Sequence, residues 1–336
     1  MPTPLPPLGN LFEGAEPVRT AYQRILPLQN ANPIFIRVLG WMLIHAPNEA
    51  GRADVARSIN LCQTDPQVIA VGQRYFQYFV KYFKATANKP TPTPSDHPSR
   101  PSMDVLRDEI LNTIEQAPTG HTEAKARALV RDNYRCQLTG VVDGRSFVDS
   151  PQLRDEAAAT PGLAVSMTEC SHILPQYVGH NIQDDEERRN TSASIWSIVQ
   201  AYGGIPQIEV NAEGIHHLRN IMTLRKEIHG AFDQLWIWLE PVQDQADTYA
   251  IGRRYEGFFP DIPPTVTLTT DTGLPLPDRR YLALHATCAK VVHMSGAAEL
   301  IDSILRDREK VKVLSQDGSS ADLLDRLLLG DSLMVS

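Results

Sequence analysis

Residues 88–102, "NKPTPTPSDHPSRPS", place five prolines among small polar side chains and almost nothing apolar. Such a stretch has no means of packing and no repeat of backbone donors, so it reads as an extended linker. It divides the 336-residue chain and limits what either side can become. His97 lies inside it and reads as a solvated linker residue.

Residues 1–87 read as a helical N-terminal region. In "NPIFIRVLGWMLIHA", Asn32 takes the N-cap position and Pro33 the first helical position. In "VIAVGQRYFQYFVKYF", Val68, Val71, Tyr75, Phe79 and Tyr82 recur at steps of three and four, one apolar stripe suited to packing on neighbouring helices. Beyond the linker, residues 103–133 read as a helical lead-in. From Tyr134 the character changes, and residues 134–260 read as a domain richer in strands. "YRCQLTGVVDGRSFV" suggests strand, turn at Asp143–Gly144, strand, and "PQLRDEAAATPG" suggests a loop. "LAVSMTECSHILP" alternates as a strand does, "RRNTSASIWSIVQAYGG" reads as a helix closed by glycine, and "LWIWLEP" with "DTYAIGRRY" as a strand pair. Residues 261–336 read as C-terminal helices, with Tyr281, Leu284, Cys288 and Val291 on one face, Ser295 as a helix cap, and "SSADLLDRLLLG" as a short amphipathic end. The class expected is α+β.

Composition excludes some functions. A formal charge of −8 disfavours unspecific attraction to polyanions. From residue 120 to 240, eleven Lys and Arg face sixteen Asp and Glu, with "QDDEERR" the most acidic stretch. Arg131, Arg135, Arg219, Arg225 and Lys226 are the basic residues nearest the candidate motif. The longest apolar run, "PIFIRVLGWMLIH", is interrupted by Arg37 and too short to span a bilayer. The opening "MPTPLPPLGN" lacks the basic start and apolar core of a secretion signal. Four separated cysteines form no CxxC pair and fit a reducing compartment. The expectation is an intracellular protein, cytoplasmic or nuclear, without membrane association.

The chemistry-bearing residues fall in one order: Cys136, Thr139 and Gly140; His172, Ile173 and Pro175; then Asn220, Leu224, His229, Phe232 and Asp233. This pattern, C-x-x-T-G … H-I-x-P … N-x-x-x-L-x-x-x-x-H-x-x-F-D, resembles the HNH nuclease superfamily, and within it the HNH-domain proteins of unknown role common in fungi. The resemblance covers roughly residues 134–240. It implies a ββα-metal module with extra strands, flanked by N- and C-terminal helices, and a metal-dependent endonuclease hydrolysing phosphodiester bonds of DNA or RNA. By the same resemblance His172 is the general base at the end of a strand, Asn220 orients the loop or gives the metal an oxygen, and His229 is a metal ligand on the helix. Imidazole and oxygen donors suit Mg, Mn, Zn or Ni.

Helical spacing puts Lys226, His229 and Asp233 on one face, so Asp233 is able to orient His229 or to stand solvated, with Ile228, Phe232 and Leu235 beside them for packing. Two positions depart from many family nucleases. Ser171 precedes the base where a ligand often stands, and Ile228 precedes His229 where a second His occurs. A further ligand then has to come from His180, Asp184, or the pair His216 and His217, which otherwise reads as a loop. These departures and the acidic balance leave open a catalytically weak or inactive HNH-fold binding or scaffold protein. Cys136 and Cys170 on adjacent strands read either as two buried thiols or, in a third alternative, as ligands of a structural zinc in a protein whose helical flanks bind a protein partner.

Overall fold

The computed structural model describes residues 2–85, 103–113, 118, 120–175, 186–209 and 214–304. The Pro-rich linker, His97, His180, Asp184, the first three residues of "QDDEERR" and "SSADLLDRLLLG" lie outside these described residues. The N-terminal helices are α1 (Glu16–Ile25), α2 (Pro33–Ile44), α3 (Glu49–Asn60), α4 (Asp65–Tyr75) and α5 (Lys81–Ala85), with one π-helical turn, Phe76–Val80, between the last two. Helices α6 (Met103–Asn112) and α7 (His121–Arg131) lead into the centre. There follow β1 (Val142–Asp143), α8 (Gly144–Asp149), α9 (Pro151–Ala159), β2 (Val165–Ser166), β3 (Thr168–His172), α10 (Glu186–Gly203), β4 (Ile221–Arg225) and α11 (Lys226–Asp233). The strands β5 (Ile237–Pro241), β6 (Thr248–Arg253) and β7 (Thr265–Thr267) then form an antiparallel sheet, and α12 (Arg279–Ser295) follows. The class is α+β.

Two local expectations are overturned, each by a cap. The predicted strand after Asp143 is helix α8, because Asp143 Oδ2 accepts from the Ser146 amide at 2.8 Å and satisfies the helix's first turn. The predicted loop "PQLRDEAAATPG" holds α9, with Ser150 Oγ accepting from the Leu153 amide at 3.2 Å, Pro151 in the first turn, and three alanines to propagate it. The predicted cap at Asn32 is also absent, since its side chain makes no capping bond, although Pro33 does open α2. The predicted strand pair is β5–β6, and the predicted stripe of α12 is buried.

One apolar core runs through all three regions, joining residues of α1 to α5, α10, α11, β5, β6 and α12. Each fully buried large aliphatic or aromatic side chain contributes about 1.5–3 kcal/mol. Close backbone approach locks α3 to the end of α10: a Cβ at Gly51 would collide with the Tyr202 carbonyl. A smaller core under α7 gathers Ala124, Ala128, Cys170, Leu218 and Ile221. The hairpin β3–β4 lies between the two.

Four contacts from the flanks hold the end of α11. His285 stacks on Phe232, ring centroids 3.8 Å apart, and bonds the Phe232 carbonyl at 3.2 Å. His293 bonds the Leu235 carbonyl at 2.7 Å, and buried Lys84 reaches the Gln234 side chain at 2.9 Å. A carbonyl only accepts, so each of these imidazoles donates a ring N–H. Leu235 itself sits at φ 60°, with Trp236 N bonding Ala231 O and Leu235 N bonding Phe232 O. This is a Schellman stop that normally uses glycine. Here a leucine takes the left-handed position because its side chain is buried.

Burial depresses the pKa of His285 to about 3 and of His293 to about 4, both from an ordinary 6.5. Both are neutral in the fold and protonate first in the unfolded chain, so stability falls as pH drops from about 6.5 toward 4. Chemical denaturation at stepped pH should show this loss, and His293→Gln should make it shallower across that whole range.

Candidate functional site

Strands β3 and β4 pair antiparallel with Thr168 opposite Arg225 and His172 opposite Ile221. Helix α11 starts directly after β4, so β3, β4 and α11 form a ββα unit whose two strands are separated in sequence by residues 173–220. The period-two alternation of a strand sends Cys170 and His172 toward α7 and Glu169 toward α11.

The loop entering β4 is fixed by a buried ion pair. Arg131 is fully buried. Its Nε and Nη2 bond the two carboxylate oxygens of Asp132 at 2.7 and 3.0 Å. Its remaining donors reach the carbonyls of Leu218, Ile221 and Pro275 at 2.8, 2.9 and 3.2 Å. Asp132 in turn accepts from Gln137 Nε2 and from the Thr223 amide. Arg131 is therefore a structural residue and not part of a phosphate-facing patch. Arg135 is paired with Glu156, Arg225 with Asp261, and Lys226 lies 3.9 Å from Glu169.

Asn220 is buried between these strands. Its Oδ1 accepts from the Leu174 amide at 2.8 Å, and its Nδ2 donates to the carbonyls of Leu174 and Ile215 at 3.1 and 3.0 Å. The side chain thus staples the segment leaving β3 to the one entering β4.

His229, nearly buried on α11, stands between two carboxylates. Nδ1 lies 2.8 Å from Glu169 Oε2 and Nε2 3.3 Å from Asp233 Oδ2. Burial opposes its charge, but the hydrogen bonds to Asp233 and Glu169 outweigh it and push the pKa up to about 9. The same bond holds Glu169 below the usual carboxylate range.

His172, at the end of β3, is surrounded by imidazoles. Its Nε2 is 3.3 Å from His216 Nδ1, and its ring stacks with His121 at 5.8 Å between centroids. Burial first, then the fields of His216, His121 and His229, drive its pKa well below 6.5, so the ring is neutral. His121, at the start of α7, has Nε2 buried without a well-formed hydrogen bond among the described residues, with the Cys170 backbone beside the ring. Cys170 Sγ lies close to both rings, and burial pushes its thiol up to about 12. Among the described residues, His121, Cys170 and His172 are the group of three ligand-type side chains with donor atoms within 4.8 Å of one another.

The structure thus brings His172 near enough to His229 for their charges to interact, without placing His229 or Asn220 in that three-residue group. His216 touches His172, whereas His217 caps its own turn through the Arg219 amide. Cys136 is buried outside the group, so Cys170 keeps company with histidines and not with the second cysteine. Ser171 is fully buried, with no hydrogen-bond partner for its hydroxyl among the described residues. Sequence reasoning missed Glu169 and His121. Strand parity relative to His172 offered a signal for the first, and nothing local did for the second.

Residues 136–240 match the family model of the HNH endonucleases, and this part of the chain is an HNH domain. No curated protein and no solved structure matches the chain. Among the described residues no helix is long and apolar enough to cross a membrane.

Two outcomes check this geometry. Arg131→Ala leaves a buried carboxylate uncompensated and should destabilise the protein by about 3–5 kcal/mol, read by urea denaturation. His229 should titrate near 9 in metal-free protein by NMR, and Glu169→Gln should lower that value. Because the folded pKa is raised, this group's stabilisation is complete below about 6.5 and is lost as pH rises through 9.

Proposed function

We propose that this chain is a metal-dependent endonuclease hydrolysing phosphodiester bonds in DNA or RNA. The observation that carries the reading is the ββα unit itself. It presents a neutral imidazole, His172, at a strand end and a carboxylate-flanked imidazole, His229, on the adjoining helix. His172 takes a proton from the attacking water, which suits a ring that is neutral at working pH. His216, 3.3 Å away, orients that ring. Asn220 is a positioning residue: its amide oxygen is engaged by Leu174 N, and it fixes where His172 and β4 stand relative to each other.

The donor set fits a divalent cation. Once His229 gives up a ring proton to make way for the ion, Glu169 and His229 offer a carboxylate oxygen and an imidazole nitrogen 2.8 Å apart, with Asp233 behind the ring, and these types suit Mg, Mn, Zn or Ni. When bound, such an ion neutralises charge on the phosphate and stabilises the leaving oxygen. It also offsets part of the local acidity that phosphate must otherwise face.

A second reading, an HNH-fold scaffold without catalysis, draws on that acidity and on the ion pairing of Arg131, Arg135 and Arg225. Purified protein incubated with supercoiled plasmid or RNA, and with each of the four ions in turn, separates the two. Cleavage that needs the ion and falls by about 10²–10⁴-fold in His172→Ala supports the nuclease. Intact nucleic acid under all four ions overturns it in favour of the scaffold.

A further inference from the structure

We propose that His121, Cys170 and His172 form a second metal site, selective for zinc and like ions that bind thiolate, whose occupation ties up the general base and stops cleavage. The inhibitory half rests on the reading of His172 given above; the site itself does not.

Three observations converge on it. The ligand-type atoms of the three side chains lie within 4.8 Å of one another, so a small closing of the side chains would bring all three onto one ion at ordinary zinc–nitrogen and zinc–sulfur lengths of about 2.0–2.3 Å. Among the described residues His121 Nε2 is buried with no well-formed hydrogen bond, only the Cys170 backbone standing beside the ring, and a ring nitrogen left so poorly satisfied is suited to take an ion. The donor type is also distinct from that around His229. Two imidazoles and a thiol form a soft set, whereas Glu169 and Asp233 supply hard oxygens, so the two places favour different metals. On binding, Cys170 releases its thiol proton to water and the sulfur–metal bond forms, with no change of oxidation state. His121 comes from α7, outside the residues 136–240 that define the HNH domain. The site therefore depends on the lead-in helix as well as on the hairpin.

The test uses the full chain, freed of metal, with Co²⁺ as a coloured stand-in for zinc and no nucleic acid present. Wild type should develop a thiolate-to-cobalt absorption band in the near ultraviolet, titrating at one ion per chain. Cys170→Ser should abolish the band and His121→Gln should weaken it, with circular dichroism checking that both variants fold. Absence of the band in wild type, or a band unchanged in both variants, overturns the site. In a companion assay, zinc added to a magnesium-supported cleavage reaction should inhibit wild type strongly and Cys170→Ser weakly. Equal inhibition of the two overturns the inhibitory role. A band that behaves as expected in a protein that cleaves nothing supports the site while sinking the nuclease reading. Cleavage without any band does the reverse.

Discussion

The geometry of the site depends on the buried pair Arg131–Asp132. A guanidinium has five N–H donors in a rigid fork, and five bonds leave this one, two to Asp132, two to carbonyls at the entry to β4 and one to the Pro275 carbonyl. Asp132 spends its other lone pairs on Gln137 and on the Thr223 amide. A fully satisfied network of this kind is rigid because every alternative arrangement strands a buried polar group. It ties α7 to β4 and to the loop at Pro275, and so sets the distance at which His121, from the first turn of α7, meets the rings on β3.

Strand parity then sorts the chemistry. Glu169 lies on the face of β3 toward α11 and bonds His229, while Cys170 and His172 lie toward α7. One short strand separates a hard-donor place from a soft-donor place, and His172 at its end is near enough to both that its charge is coupled to His229 as well as to His121 and His216. The neutral state of His172 and the charged state of His229 are two results of one arrangement: His172 is half-buried among rings, whereas His229 is buried between acids.

Much of this was legible in the sequence and some was not. His172, Asn220 and His229 stood out because their order and spacing belong to a family pattern, and Asp233 followed from helical spacing. The β5–β6 pair and the buried face of α12 followed from periodicity. Helices α8 and α9 did not, because a side-chain cap from Asp143 or Ser150 decides them and turn-forming residues near each hide the signal. Glu169 was hidden by attention to the residue just before His172, where Ser171 points into the core. His121 was hidden by distance along the chain: only the Arg131–Asp132 clamp brings it to β3, and no local pattern encodes such a contact. The same clamp explains why Arg131, though near the motif in sequence, offers no free charge to a phosphate.

The flanking helices answer a need that the motif alone leaves unmet. Helix α11 has eight residues, too few to hold together by its own hydrogen bonds, because the cost of nucleation is not recovered over so short a length. Its last carbonyls have no partners within the helix. In this chain the Schellman stop meets two of them, through Trp236 N on Ala231 O and Leu235 N on Phe232 O, and the flanks reinforce it: His285 also bonds Phe232 O, and beyond the stop His293 bonds Leu235 O while Lys84 engages Gln234. Phe232 packs in the common core with α12, and His285 covers its ring. The helix that carries His229 is thus held at its C-terminal end by both flanks and at its start by β4. The apolar faces of α5 and α12 are spent in doing so. The N- and C-terminal regions therefore work as the frame that keeps His229 between its two carboxylates.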